Sequence, residues 1–197
     1  LISYIGKDSY NSIDDILPDD IEDLFTDIIG ENTSATRVNG EWIGSLASNG
    51  LQSLQGYWVK VLEDLSFNYT FSNDQIAKNN NEIINISRFD VPNQFYYSQS
   101  QNQAFYFIKD ISLNDDMISK GDWIVAFHDD LVVGARQWFG EFTEVPVMGS
   151  DGYDETNDYC NTESKITFKV YKALSNTMIE LEGEYPTWSN LTNFIIN

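Results

Sequence analysis

Gly121–Trp138 reads GDWIVAFHDDLVVGARQW. It contains two apolar alternating runs, Asp122–Phe127 and Leu131–Trp138, joined by His128-Asp129-Asp130. Such a pair of runs around an Asp-rich connection is the pattern of a β-hairpin with one buried face. The reading fixes the class as a β-rich, densely packed module rather than a helical enzyme core or an acidic tail.

The flanks carry the same period. Gln103–Ile111 (QAFYFIKDI) reads as a strand, and Ile166–Ala173 (ITFKVYKA) alternates as a half-buried strand does. Met178–Leu181 follows a Ser175-Asn176 turn, and Leu191–Asn197 (LTNFIIN) is strand-like. Short strands at this spacing predict an Ig-like antiparallel β-sandwich over residues 93–197. Residues 76–92 read as a linker because the chain there is polar and Asn-rich, with a short strand at 83–89 and Pro92 as its boundary.

Residues 1–75 read as a smaller α+β module. Residues 1–6 suggest a strand and 11–30 a helix in two pieces. Ile13, Ile16 and Leu17 form the first stripe. Pro18 opens the second piece, followed by Ile21, Leu24, Phe25, Ile28 and Ile29 at helical spacing, with Gly30 as its cap. The acids Asp19, Asp20, Glu22 and Asp23 suit the positive end of that helix. Strands are expected at Glu41–Leu46, after an Asn39-Gly40 turn, and at Gly56–Leu62, with Leu65–Phe71 pairing against the latter.

Composition narrows the function classes. Lys and Arg total 11 against 31 Asp and Glu, a net charge of −20. That balance excludes a sustained phosphate-facing surface and disfavours anionic membranes. Hydrophobic residues make up 42%, so the acidity is that of a folded surface rather than of a disordered chain. No apolar run reaches the ~18 residues of a membrane span, so no membrane insertion is expected. A single cysteine, Cys160, permits no intrachain disulfide, and with one histidine it makes no zinc site. The chain opens in mid-strand without Met, which suggests processing as in exported proteins. Sequons at Asn32, Asn68, Asn85 and Asn190 are glycosylation candidates that suit the same setting.

Two segments resemble a known tandem. VNGEWIGSL followed by LQGYWVKV is similar to a module of large secreted bacterial proteins in which a helix ending in Ile-Ile-Gly-Glu precedes two such strands. GDWIVAFHDDLVVGARQW, with EVPVMGSDGYDETNDYC and ITFKVYKA, resembles its partner, an Ig-like sandwich with a G-D-x-I-x-A-F hairpin. The tandem belongs to surface and exported proteins of uncultured aquatic bacteria. The resemblance implies an extracellular, non-catalytic structural or binding role.

The candidate sites follow from residue chemistry. His128 sits at the hairpin tip beside Asp129 and Asp130, with no G-x-S-x-G elbow to supply a serine. Asp151, Asp154, Asn157 and Asp158 offer oxygens within one loop, either as a calcium site or as a hydrogen-bonded turn. Trp42, Trp58, Trp123, Trp138 and Trp188, with Tyr96, Tyr97 and Tyr106, suit a core, an interface or a sugar platform. Leu1, Ile2, Tyr4, Phe194, Ile195 and Ile196 lie in terminal strands that could pair with a neighbour, because the last seven residues carry neither charge nor Pro. The expected function is a non-catalytic extracellular structural protein, a self-assembling subunit of a surface fibre, tube or sheath. Its partners would be copies of itself or other cell-surface proteins. The alternative is a calcium-dependent carbohydrate-binding adhesion module, with glycans as partners.

Overall fold

In a computed structural model, residues 1–6, 13–68, 91–113 and 116–197 are described. The chain is mostly β and divides into two units, Leu1–Ile86 and Ser87–Asn197. The boundary falls inside the stretch read as a linker. The expected strand at 83–89 lies outside the described residues, as do residues 69–71 of the Leu65–Phe71 strand.

The first unit is built on five strands: β1 (Ile2–Ser3), β2 (Phe25–Gly30), β3 (Thr33–Val38), β4 (Glu41–Ile43) and β5 (Gly56–Val61). They form one antiparallel sheet in the order β1-β5-β2-β3-β4. Two short helices, α1 (Ile13–Ile16) and α2 (Ser45–Asn49), accompany it. Tyr4, Ile13, Phe25, Ile28, Leu51 and Tyr57 close the core.

The second helical piece is not a helix. Glu22–Leu24 make one 3₁₀ turn, and Phe25–Gly30 are the central strand. The misreading has a physical cause. A β-bulge between Phe25 and Asp27 inserts Thr26, so Phe25 and Ile28 both face the core at helix-like spacing. Ile29 is buried on the opposite face, directly across from Trp58. Gly30 therefore ends a strand, and Glu31-Asn32 form a tight hairpin turn with Asn32 at φ 54°. The expected helix-end acids Glu22 and Asp23 instead meet Arg37 of β3, at 2.9 and 2.8 Å.

Two further corrections belong here. The strand at Glu41 stops at Ile43, and Leu46 lies in α2, between Gly44 at φ 105° and Gly50 at φ 69°. Residues 65–68 form no strand against β5, whose partners are β1 and β2. Phe67 instead packs edge-on against Phe25, with centroids 5.6 Å apart.

The second unit holds β6 (Gln103–Ile108), β7 (Ser112–Leu113), β8 (Asp116–Met117), β9 (Trp123–His128), β10 (Leu131–Gln137), β11 (Thr143–Met148), β12 (Thr167–Lys172), β13 (Thr177–Leu181) and β14 (Asn193–Ile196). One sheet runs β10-β9-β12-β13 and the other β11-β6-β14, with β7-β8 a separate ribbon. Ile124 and Phe168 from the first sheet share a core with Tyr106 and Val145 from the second, which makes the unit a β-sandwich. β9 and β10 are the opening hairpin. His128 pairs with Leu131, so the turn is Asp129-Asp130 alone, with Asp129 at φ 51°.

The sandwich is not wholly antiparallel, because β14 pairs in parallel with β6, Phe194 opposite Tyr106. β11 is a strand that periodicity misses. All six residues of TEVPVM are buried, including Thr143 and Glu144, so no alternation marks it, and Pro146 argues against it. Pro146 is tolerated because β11 is an edge of its sheet.

β10 crosses close above β11. A Cβ on Gly134 would stand 1.7 Å from the carbonyl oxygen of Pro146. Replacing Gly134→Ala is therefore expected to destabilise the second unit by at least the upper end of the ~1–3 kcal/mol typical of overpacking. The urea midpoint of the variant checks this, and an unchanged midpoint would show that the two strands can part freely.

Candidate functional site

The Asp151–Asp158 loop is built around one carboxylate. Asp151 Oδ1 accepts the Thr156 hydroxyl at 2.5 Å and the Tyr153 N–H at 3.4 Å, and Oδ2 accepts the Gln101 N–H at 3.1 Å. The Thr156 hydrogen bond, with those from the backbone, holds the acid below its ordinary range despite some desolvation. Asp151 is thus the clamp of a structured turn, and it anchors the loop to the segment before β6. Asp154, Asn157 and Asp158 are exposed.

The fold brings Asn157 and Asp158 to residues remote in sequence. With Tyr159 and Asn161 they line an open cleft of about 640 Å³ whose other wall is His128, Asp129, Asp130 and Leu131 of the β9–β10 tip. Three carboxylates and two carboxamides make this rim oxygen-rich, a chemistry suited to hard cations or amines. Asp151 and Asp154 do not join it. Among the described residues no three His, Cys, Asp or Glu side chains converge as a metal-holding group.

His128 faces main chain and serine: Nδ1 lies 3.4 Å from the Lys165 carbonyl oxygen and Nε2 3.5 Å from Ser164 Oγ. The Ser164 hydroxyl also accepts the Asn161 N–H at 3.0 Å. Cys160 is buried, and desolvation pushes its thiol up to about 12, so it is a small apolar filler rather than a nucleophile.

Among the tryptophans, Trp123, Trp138 and Trp188 are core, while Trp58 is about half exposed. Tyr106 is wholly buried, its hydroxyl donating to the Pro186 carbonyl at 2.9 Å, whereas Tyr96 is exposed. The sequons also differ. Asn32 occupies the β2–β3 turn and Asn68 is exposed, while Asn85 lies outside the described residues. Asn190 accepts the Gln103 N–H at 3.0 Å and donates Nδ2 to Asn102 at 3.0 Å, so its amide is already a structural bridge. The terminal strands both pair inside the chain: Ile2 opposite Tyr57, and Phe194, Ile195 and Ile196 along β6. Tyr4 is buried and Leu1 exposed.

One heavily used polar residue carries no signal in the periodicity. Asp122 is buried at the head of β9. Oδ2 meets Lys172 Nζ at 2.9 Å, the Ser119 N–H at 2.9 Å and the Ser119 hydroxyl at 3.0 Å; Oδ1 accepts the Ala173 N–H at 3.0 Å. Its main-chain carbonyl accepts the Trp138 N–H at 2.8 Å. Lys172 also donates to the Met117 carbonyl at 2.5 Å. Burial alone would raise the acid, but Lys172, Ser119 and Ala173 together outweigh it and hold it lowered. In the sequence Asp122 reads only as the first residue of the alternating run Asp122–Phe127, with no role of its own.

No protein-family model, no curated protein and no solved structure matches the chain.

Asp122→Ala leaves the Lys172 ammonium buried without its carboxylate, and is expected to cost about 3–5 kcal/mol in denaturant unfolding. The pH dependence has a definite sign. The folded acid titrates below its ordinary 3.8, so its contribution is full above that value and is lost as pH falls through the lower, folded value. The acid limb of stability below about pH 4 should accordingly flatten in the variant. An unchanged acid limb would show that Asp122 does not govern it.

Proposed function

We propose that the chain is a non-catalytic structural protein of the cell exterior, a subunit that joins copies of itself or other surface proteins into a fibre, tube or sheath. The observation that carries this reading is the state of its sheet edges. β13 is an edge whose single acid, Glu180, is neutralised by Lys169 at 2.8 Å. Beside it Met178 and Leu174 are exposed, Leu174 at 98%. β14 is an edge with no charge at all. Edges that carry neither free charge nor Pro are the ones that accept further strands.

The reactive side chains support the same reading, since Cys160 is buried and His128 faces a main-chain carbonyl. The resemblance to tandem modules of exported bacterial proteins and the sequon at the exposed Asn68 favour the extracellular setting.

A second reading, a calcium-dependent carbohydrate-binding module, rests on Tyr153, which is 62% exposed within the loop that presents Asp154, Asn157 and Asp158. Exposed rings beside oxygen donors are the materials of a sugar site.

Electron microscopy of the concentrated protein is expected to show regular polymers, and monodisperse single particles at every concentration would sink the assembly reading. A glycan array with and without chelator separates the two readings. Chelator-sensitive binding favours the adhesion module, and a blank array removes it.

A further inference from the structure

We infer that Tyr185–Asn197 is an exchangeable arm, and that a second copy of this chain seats its own arm in the slot this one occupies. The inference rests on the assembly reading above and names the contact by which copies join.

The arm leaves β13 in one sheet and crosses to the other, where it ends as β14 beside β6. It is held by a few specific anchors. The Tyr185 ring stands edge-on to Phe168, with centroids 4.8 Å apart. Trp188 donates Nε1–H to the Val147 carbonyl at 3.0 Å, and its main chain bonds Ser164 and Glu163 at 2.9 and 3.0 Å. Phe194 packs on Tyr106 at 4.8 Å. The slot is shaped for this indole. A Cβ on Gly149 would lie 2.4 Å from the Trp188 ring, so only glycine leaves room for it.

Two observations point to a copy of this chain as the other occupant. The first is charge. The chain carries −20 overall, so two copies docking face to face meet strong repulsion. Residues 185–197, YPTWSNLTNFIIN, contain no charged side chain. An uncharged segment is the part of such a chain that another copy can accept. The second is complementarity. The arm of a second copy reproduces every contact that the monomer already makes, so exchange needs no new surface, only a hinge. Glu182, Gly183 and Glu184 supply it: all three are exposed, and they stand between β13 and the first anchor.

The test uses the bridge between Asn190 and Asn102, whose side chains touch at 3.0 Å. Full-length Asn102→Cys and Asn190→Cys chains are mixed, concentrated and oxidised; the native Cys160 is buried and does not compete. Only an arm of one chain seated on the β6 of another brings these two positions together. An effective concentration near millimolar at the seated pair predicts a mixed disulfide dimer exceeding either homodimer by roughly a hundredfold. Statistical proportions, or no dimer, overturn the exchange. Electron microscopy of the same samples separates the failures: polymers without mixed dimers refute the arm and leave the assembly reading, and neither product refutes both. Should Asn190→Cys cost the fold, the unmodified chain decides. Exchanged dimers persist on dilution because the arm must unseat, and immediate return to monomer, or monomer throughout, overturns the proposal.

Discussion

A single buried ion pair organises the sandwich. Asp122 and Lys172 lie 2.9 Å apart at the head of β9 and the end of β12, and both are almost fully removed from solvent. Burying two charges costs several kcal/mol per ion, and the cost is offset only when every remaining lone pair and proton finds a partner. Asp122 meets that condition through Ser119, Ala173 and Lys172, and Lys172 through the Met117 carbonyl as well. One carboxylate thereby fixes where β9 begins, where β12 ends and how the β8 segment approaches. Its main-chain carbonyl also holds Trp138, at the far end of the hairpin's return strand. The apolar packing of Ile124, Phe168 and Tyr106 is non-directional, whereas the Asp122 bonds set the register in which it occurs.

Charge inside this protein works against its appearance in sequence. Arg136 and Glu144 are also buried, the Arg136 Nε–H donating to the Glu144 main-chain carbonyl at 3.0 Å and the two charged groups 3.6 Å apart. Together with Asp122 and Lys172 they place four charged residues in the interior of the described sandwich unit, while the remaining surface stays strongly acidic. A chain so charged resists association through its faces. The β14 edge and the Tyr185–Asn197 segment that ends in it carry no charged side chain and meet the least of that repulsion.

The hairpin was legible because its alternation is local: β9 and β10 fall within Gly121–Trp138, and GYWVKV is β5. Each failure has a physical cause. In β2 a bulge at Thr26 turned a period of two into a spacing of three. In β11 complete burial erased the alternation. In α2, glycines at both ends cut short the strand that Trp42 began. In β2 and β11 neighbouring strands, not the segment's own residues, set which side is inside. The candidate site was legible by residue type and misgrouped in space. Asp151 binds its own loop, whereas Asn157 and Asp158 face the hairpin tip, because the turn at Thr156 points them there.

Residue order alone determined the β class, the hairpin and the acidity, since these depend on local periodicity and on counting charges. Tertiary structure decided the rest. It made Asp122 an internal staple and Trp188 a knob seated against Gly149, and it set β14 in parallel on β6. The reason is physical. Burial and hydrogen-bond partners are properties of pairs brought together by the fold, across separations that no local pattern spans.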